Sequence, residues 1–240
     1  MDGSLGHLAR PPASAAGGGS QAVVLCPDFP RTTGLARAAA QSLGALADCI
    51  ASDAHWLALA LQPRGLTGTG GDFSVTGWIE DMGKAISDLR QEGARTVFLV
   101  GMGLGGVVAL AAAAADPKVG GVAALATPAD LSSWAGDPRR FLEHARSVGL
   151  IRGKAFPEDL DRWQRDLREI KPLDLARLVS PRPVLILHGS EDEVVPDLDA
   201  RALADSAGPG AELRLVAGAG HQIRNDPRAM AVLLGWLSRQ

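Results

Sequence analysis

The chain has 240 residues, 46% hydrophobic and 21% charged, with a formal net charge of −3. That length suits one domain with a full hydrophobic core. The charge balance excludes a nucleic-acid binder built on basic runs, and the longest apolar stretches are broken by glycine, proline or charge, which excludes a membrane span.

Two cysteines, Cys26 and Cys49, make neither a disulfide framework nor a zinc site, and are expected as free thiols in a reducing compartment. The opening stretch lacks the charged-then-apolar order of a secretory signal, so the expected location is cytoplasmic. Residues 1–21, with His7, Pro11, Pro12 and the Gly17–Gly19 run, read as a flexible lead-in to a single domain over residues 22–240.

Ala22–Cys26 is predicted as a buried strand that ends in Pro27-Asp28-Phe29-Pro30. A helix is expected over Leu35–Ile50, a strand over Trp56–Leu61 and a glycine-rich loop over Pro63–Phe73. Ser74–Leu89 reads as an amphipathic helix with Trp78, Met82, Ile86 and Leu89 on its buried face and Glu80, Asp81 and Lys84 outward. Next come a β-branched strand at Thr96–Val100, glycines at 101, 103, 105 and 106, and an alanine-rich helix over Val107–Ala115. Further strands are expected at Val122–Ala126, Pro181–His188 and Glu212–Val216, and a last helix at Arg228–Leu237.

Alternating strands and helices imply an α/β fold, a mostly parallel sheet with helices on both faces. Residues 127–172 break the rhythm. Trp134, Phe141, Leu142, Phe156, Trp163 and Leu167 stand there among many charges, as expected of two or three cap helices lying over the strand ends and drying a pocket.

Ligands in such sheets sit beyond the carboxyl ends of the strands, so the loops after strands carry the candidate chemistry. The turn at Gly103 fits two devices. Gly101, Gly103 and Gly106 match the dinucleotide pattern G-x-G-x-x-G, while Gly101 and Gly105 frame a nucleophile elbow G-x-S-x-G whose serine position is Gly103. The other loops are His188–Pro196 (HGSEDEVVP) and Gly218–His221 (GAGH). Their order, turn residue then acid then histidine, is that of a nucleophile, an orienting acid and a general base.

These segments, with GDFSVTGW at Gly71–Trp78, resemble the alpha/beta-hydrolase superfamily, and within it the small bacterial esterase- and acylpeptidase-like branch. The resemblance runs from about Ala22 to Gln240. It implies Asp192 as the acid, with Glu191 and Glu193 as competitors on position, and His221 as the base. It also implies Phe29 and Leu104 as the backbone donors of an oxyanion hole, and Gly103 at the nucleophile position, where the family usually carries serine. A second departure is Pro27-Asp28 where the family usually has His-Gly.

Gly103 supplies no atom for His221 to deprotonate, so serine-type acyl transfer is not expected. A carboxylate at Asp28 opposes charge developing in the hole, where loss of one donor already costs roughly 3–4 kcal/mol. Cys26 is the one thiol near the site, read chiefly as buried and inert. His188 is read as structural, and His55 and His144 as surface residues. No histidine–carboxylate cluster has metal-ligand spacing; no metal and no cofactor are expected, and the expected partner is a small-molecule ligand or substrate.

The expectation is therefore a hydrolase-fold protein that keeps the Asp–His pair without the serine. The alternatives are a working esterase using His-activated water or another nucleophile, and a nucleotide-binding oxidoreductase using Gly101, Gly103 and Gly106. The last is weakened because the fingerprint usually follows its domain's first strand, and because the strand after it lacks a good ribose-binding acid, Asp130 being a poor stand-in. On this reading Gly103→Ser restores some ester hydrolysis, limited by Asp28 and raised by a paired Asp28→Gly.

Overall fold

A computed structural model describes residues 6–12, 21–66 and 68–240. Its seven strands form one sheet: β1 (Gly6–Ala9), β2 (Gln21–Cys26), β3 (Leu57–Leu61), β4 (Thr96–Met102), β5 (Val119–Leu125), β6 (Val184–Gly189) and β7 (Ala211–Val216), in the spatial order β1-β3-β2-β4-β5-β6-β7. Every pairing is parallel except β1 against β3. The central strands are buried on both faces, which is why they read as continuous apolar runs.

Period-two alternation divides the core. Val24 and Cys26 of β2 face one layer, while Val23 and Leu25 face the other. The first layer is filled by α2 (Val75–Gln91), α3 (Leu104–Ala115), α7 (Pro172–Val179) and α8 (Asp197–Ala207), and the second by α1 (Thr33–Asp53) and α9 (Pro227–Leu237). Ser74 starts α2 by accepting a hydrogen bond from Gly77 N at 3.0 Å. Trp78, Met82, Ile86 and Leu89 are all buried as the spacing predicts, each such side chain contributing roughly 1.5–3 kcal/mol.

Three helices lie between β5 and α7: α4 (Ser132–Gly136), α5 (Pro138–Ser147) and α6 (Leu160–Glu169). They bring Trp134, Phe141 and Trp163 against Phe29 and Phe73, with Trp134 stacked on Phe141 at 4.8 Å and Phe141 on Trp163 at 5.2 Å. The glycine-rich loop is tied to this cap. Arg152 donates to Thr69 O at 2.6 Å, and Asp72 Oδ1 accepts from Arg152 N and Gly153 N at 2.6 and 3.0 Å.

Several expectations change. Part of the supposed lead-in is structured: Gly6–Ala9 pairs along the edge of β3, and His7 meets Asp48 at 2.7 Å. Gly17–Gly19 lie outside the described residues. Asp81 does not face outward. It is 6% exposed and receives Arg64 N at 2.8 Å and the Arg64 guanidinium at 2.7 Å, an ion pair that offsets its burial. Helix α3 begins at Leu104, three residues before the expected start, because β4 runs on to Met102 and only Gly103 separates them. Helices α7 and α8 were not anticipated, although Ala200, Leu203, Ala204 and Ala207 of α8 are buried at helical spacing.

Candidate functional site

The chain leaves β2 toward β3 on one side and returns to β4 on the other, so the paired strands β2 and β4 send their following helices, α1 and α3, to opposite faces of the sheet. Crevices at such a reversal hold ligands. Asp28 and Phe29 follow β2, and Gly103 follows β4.

Gly103 has φ +52° and ψ −121°, a conformation that costs a side-chain-bearing residue on the order of 1–3 kcal/mol and that glycine tolerates. A Cβ at this position would overlap the Asp28 carboxylate. The volume a nucleophilic side chain would take is thus already filled by a side chain from another loop. Asp28 Oδ1 accepts from Phe29 N at 2.7 Å and Leu104 N at 2.8 Å, and Oδ2 lies 3.0 Å from His221 Nε2. Helix α3 has no side-chain cap at Gly103. Asp28 supplies one from a distance, and a carboxylate at a helix N-terminus contributes about 0.3–1 kcal/mol, up to ~2 where partly buried.

Beyond β6, Asp192 is 1% exposed at its side chain. Its Oδ1 accepts from Val194 N and Val195 N at 2.8 and 2.9 Å, and its Oδ2 meets His221 Nδ1 at 2.9 Å. Burial works to raise the Asp192 pKa, but the hydrogen bonds from His221, Val195 and Val194 outweigh it and hold the carboxyl below its ordinary value. The acid loop is braced against the histidine loop by Glu191 N to Ala219 O at 2.9 Å and Gly218 N to Ser190 Oγ at 2.9 Å. His188, fully buried, supports the acid from behind: its Nε2 meets Val195 O at 2.9 Å and lies 3.4 Å from Asp192 Oδ2.

His221 therefore stands between two carboxylates, its side chain 13% exposed. Burial pushes its pKa down. Hydrogen bonds and charges from Asp192 and Asp28 prevail and raise it to about 9. At neutral pH the ring is an imidazolium with both N–H groups donating, one to each carboxylate.

A cavity of about 160 Å³ opens over this row, lined by Asp28, Gly103, Leu104 and His221 below and by Phe29, Trp134, Phe141 and His144 from the cap side. An engineered apolar cavity of about 150 Å³ binds benzene, so the space suits a small, largely apolar molecule. Arg31, Pro128, Val194 and Val195 complete the lining.

Of the residues singled out from the sequence, Asp28, Phe29, Gly103, Leu104, Asp192 and His221 converge here. Cys26 does not line the cavity: it is fully buried at the end of β2, and burial, then the nearby Asp28 and Asp81, push its thiol far above the ordinary range. His144 was expected on the surface but lines the cavity, with its ring 5.8 Å from that of Phe29; its place depends on how α5 packs, and no local pattern signals that. Gly101 and Gly106 are accounted for by packing, since a Cβ on either would overlap Gly105 O or Thr127 Oγ1. Among the described residues no group of His, Cys, Asp and Glu could hold a metal ion, and no helix is long and apolar enough to cross a membrane.

A family model described as the alpha/beta hydrolase family matches residues 4–233. No curated protein matches the sequence. Among solved structures, the chain is similar to the alpha/beta hydrolase GrgF from Penicillium sp. sh18, at 19% identity and a TM-score of 0.68, covering 98% of this chain and 92% of that one. It is similar to a meta-cleavage product hydrolase from Pseudomonas fluorescens IP01, at 17% identity and a TM-score of 0.66, covering 97% and 93%. A Pyrococcus furiosus esterase matches at 16% identity and a TM-score of 0.66, covering 92% and 82%. At these identities the likeness is one of fold.

Proposed function

The chain belongs to the alpha/beta hydrolase family, and we propose that its site binds a small molecule without serine-type acyl transfer, with the row Asp28–His221–Asp192 in place of a serine–histidine–acid triad. One observation carries this reading: the Asp28 carboxylate fills the space beside Gly103 and accepts from both backbone N–H groups that would otherwise receive an oxyanion. An acyl substrate meets neither a hydroxyl nor a free pair of donors. A cytoplasmic setting belongs to the same reading, supported by two cysteines that are free thiols.

The alternatives draw less support. A neutral imidazole is needed to activate water for ester cleavage, and His221 is held protonated at neutral pH. A dinucleotide pyrophosphate needs the N-terminus of α3, which already holds the Asp28 carboxylate.

The test is to mix the purified protein with p-nitrophenyl acetate and, separately, with a serine-directed phosphonate, and to titrate it with benzyl alcohol while following tryptophan fluorescence. The expected result is no burst and no covalent label, with a saturable fluorescence change that Trp134→Phe reduces. A stoichiometric burst, or a stable acyl or phosphonyl adduct on any side chain, would overturn the reading.

A further inference from the structure

We propose that the site takes an aromatic monocarboxylic acid, its ring under the cap and its carboxylate between Arg31 and Arg224 in a side branch of the cavity. This rests on the reading above, a site that binds a small molecule without acyl transfer, and names the class of that molecule.

The branch is a narrow space of about 20 Å³. It shares Asp28, Phe29, Arg31 and His221 with the main cavity and adds Arg224 to them. The histidine loop places Arg224. The residue sits in the 3₁₀ turn Ile223–Asn225, which Ile223 anchors in the core at 2% exposed and which Ile223 N ties to His221 O at 2.8 Å. Arg31 arrives from the other side, three positions after Asp28, with its side chain exposed.

The fold itself uses neither arginine. Among the described residues no hydrogen bond or ion pair reaches either guanidinium, and Arg224 Nε is buried without a partner. Other sheltered guanidinium groups are satisfied, Arg64 by Asp81 at 2.7 Å and Arg182 by Ala113 O at 2.8 Å. Burial holds the Arg224 pKa below its ordinary value, and the charge of Asp28 offsets only part of that. A buried unpaired donor in a native protein calls for an explanation, and here it lines a space that opens on the cavity.

Charge sets the sign of the guest. At neutral pH Arg31, Arg224 and the His221 imidazolium stand against two carboxylates, Asp28 and Asp192. One positive charge is left over, and a monoanion cancels it. Asp28 opposes such a guest weakly, because Phe29 N and Leu104 N already hold its Oδ1 and His221 its Oδ2.

Shape sets the kind of anion. A space of about 20 Å³ holds one water-sized group. A carboxylate is planar, puts one oxygen into such a slot and matches the planar fork of a guanidinium. A phosphate carries three oxygens around one centre and close to a second charge, more than the branch or the surplus accepts. The main cavity sets the remainder of the molecule: about 160 Å³ under Phe29, Trp134 and Phe141 suits one benzene ring.

The experiment titrates the intact protein at pH 7.5 and low salt with benzoate, phenylacetate and 3-phenylpropanoate, each beside its own amide, and with benzyl alcohol, following tryptophan fluorescence. At least one acid is expected to bind about tenfold or more tighter than its amide, as a charge-assisted pair allows. Arg224→Gln and Arg31→Gln are each expected to bring that ratio toward one. Arg177→Gln, which removes a positive charge from α7 away from the cavity, is expected to keep it. Urea midpoints check that the variants fold; Arg31 is exposed and unpaired, so its variant decides the matter if Arg224→Gln does not fold. Acids that bind no tighter than their amides, or a preference that survives the arginine changes, overturn the proposal. If benzyl alcohol and the amides still bind in that case, the broader reading stands; if none of the compounds binds, both are removed.

Discussion

A serine introduced at position 103 would drive its Cβ into the Asp28 carboxylate and would have to hold φ at +52°. The single substitution Gly103→Ser is therefore expected to lower stability by about 2 kcal/mol or more and to add no esterase activity. From the sequence alone, Asp28 only limits such a gain; in the structure it blocks it. The pair Gly103→Ser with Asp28→Gly removes the overlap and frees both N–H donors. It should recover stability relative to the single variant and hydrolyse p-nitrophenyl acetate above wild type, as read by urea melts and steady-state assay. Equal activity in single and double variants would show that Asp28 does not occupy the nucleophile's space. The two departures at 28 and 103 were visible in the sequence one at a time. Their contact, across 75 positions of chain, depends on β2 and β4 being neighbours.

Among the elements, the cap and the glycine-rich loop are tied by two side chains, Asp72 from the loop and Arg152 from the cap, and Arg152 makes the larger number of bonds. Arg152 reaches the carbonyls of Gly65, Leu66, Thr69 and Gly71. Charge-assisted bonds of this kind contribute about 1.5–3 kcal/mol each when well made, and the shortest here, to Thr69 at 2.6 Å, is the strongest candidate. Arg152→Ala is expected to loosen residues 68–73 and the segment around Gly153, with faster amide exchange there and little change in β4 or α3. Uniform exchange rates would mean that the apolar stack and the Asp72 bonds hold the cap without the guanidinium. Trp134, Phe141 and Trp163 were legible in the sequence as a cap because large apolar residues stood among charges. The tie through Arg152 was not, since an arginine serving backbone carbonyls has no partner to pattern with. Strand β1 was missed for a related reason: four residues reading GHLA carry too little alternation, and only the free edge of β3 makes them a strand.

For the whole molecule, the parallel order of the sheet was readable from apolar strands alternating with helical spacing, because burial on both faces imposes that pattern. The charge network over the strand ends has a global consequence. His221 has an ordinary pKa of 6.5 when unfolded and about 9 when folded. A folded value above the unfolded one means stabilisation that is fully present below pH 6.5 and is lost as pH rises through 9, a change on the order of 3 kcal/mol. Asp192 acts in the opposite sense: its lowered pKa stabilises the fold above the ordinary carboxylate range and less as pH falls through it. Urea unfolding between pH 6 and 10 should show wild type losing stability toward the alkaline end and His221→Gln losing far less.

The protonation of that ring is the most direct test of the arrangement as a whole. Nitrogen-15 spectra of the histidine side chains, followed through a pH titration, should show His221 with both ring nitrogens protonated at pH 7.5 and an apparent pKa near 9, lowered in Asp28→Asn. A His221 ring that is neutral at pH 7.5, with a titration unchanged by Asp28→Asn, would contradict the placement of Asp28 between the backbone donors and the imidazole.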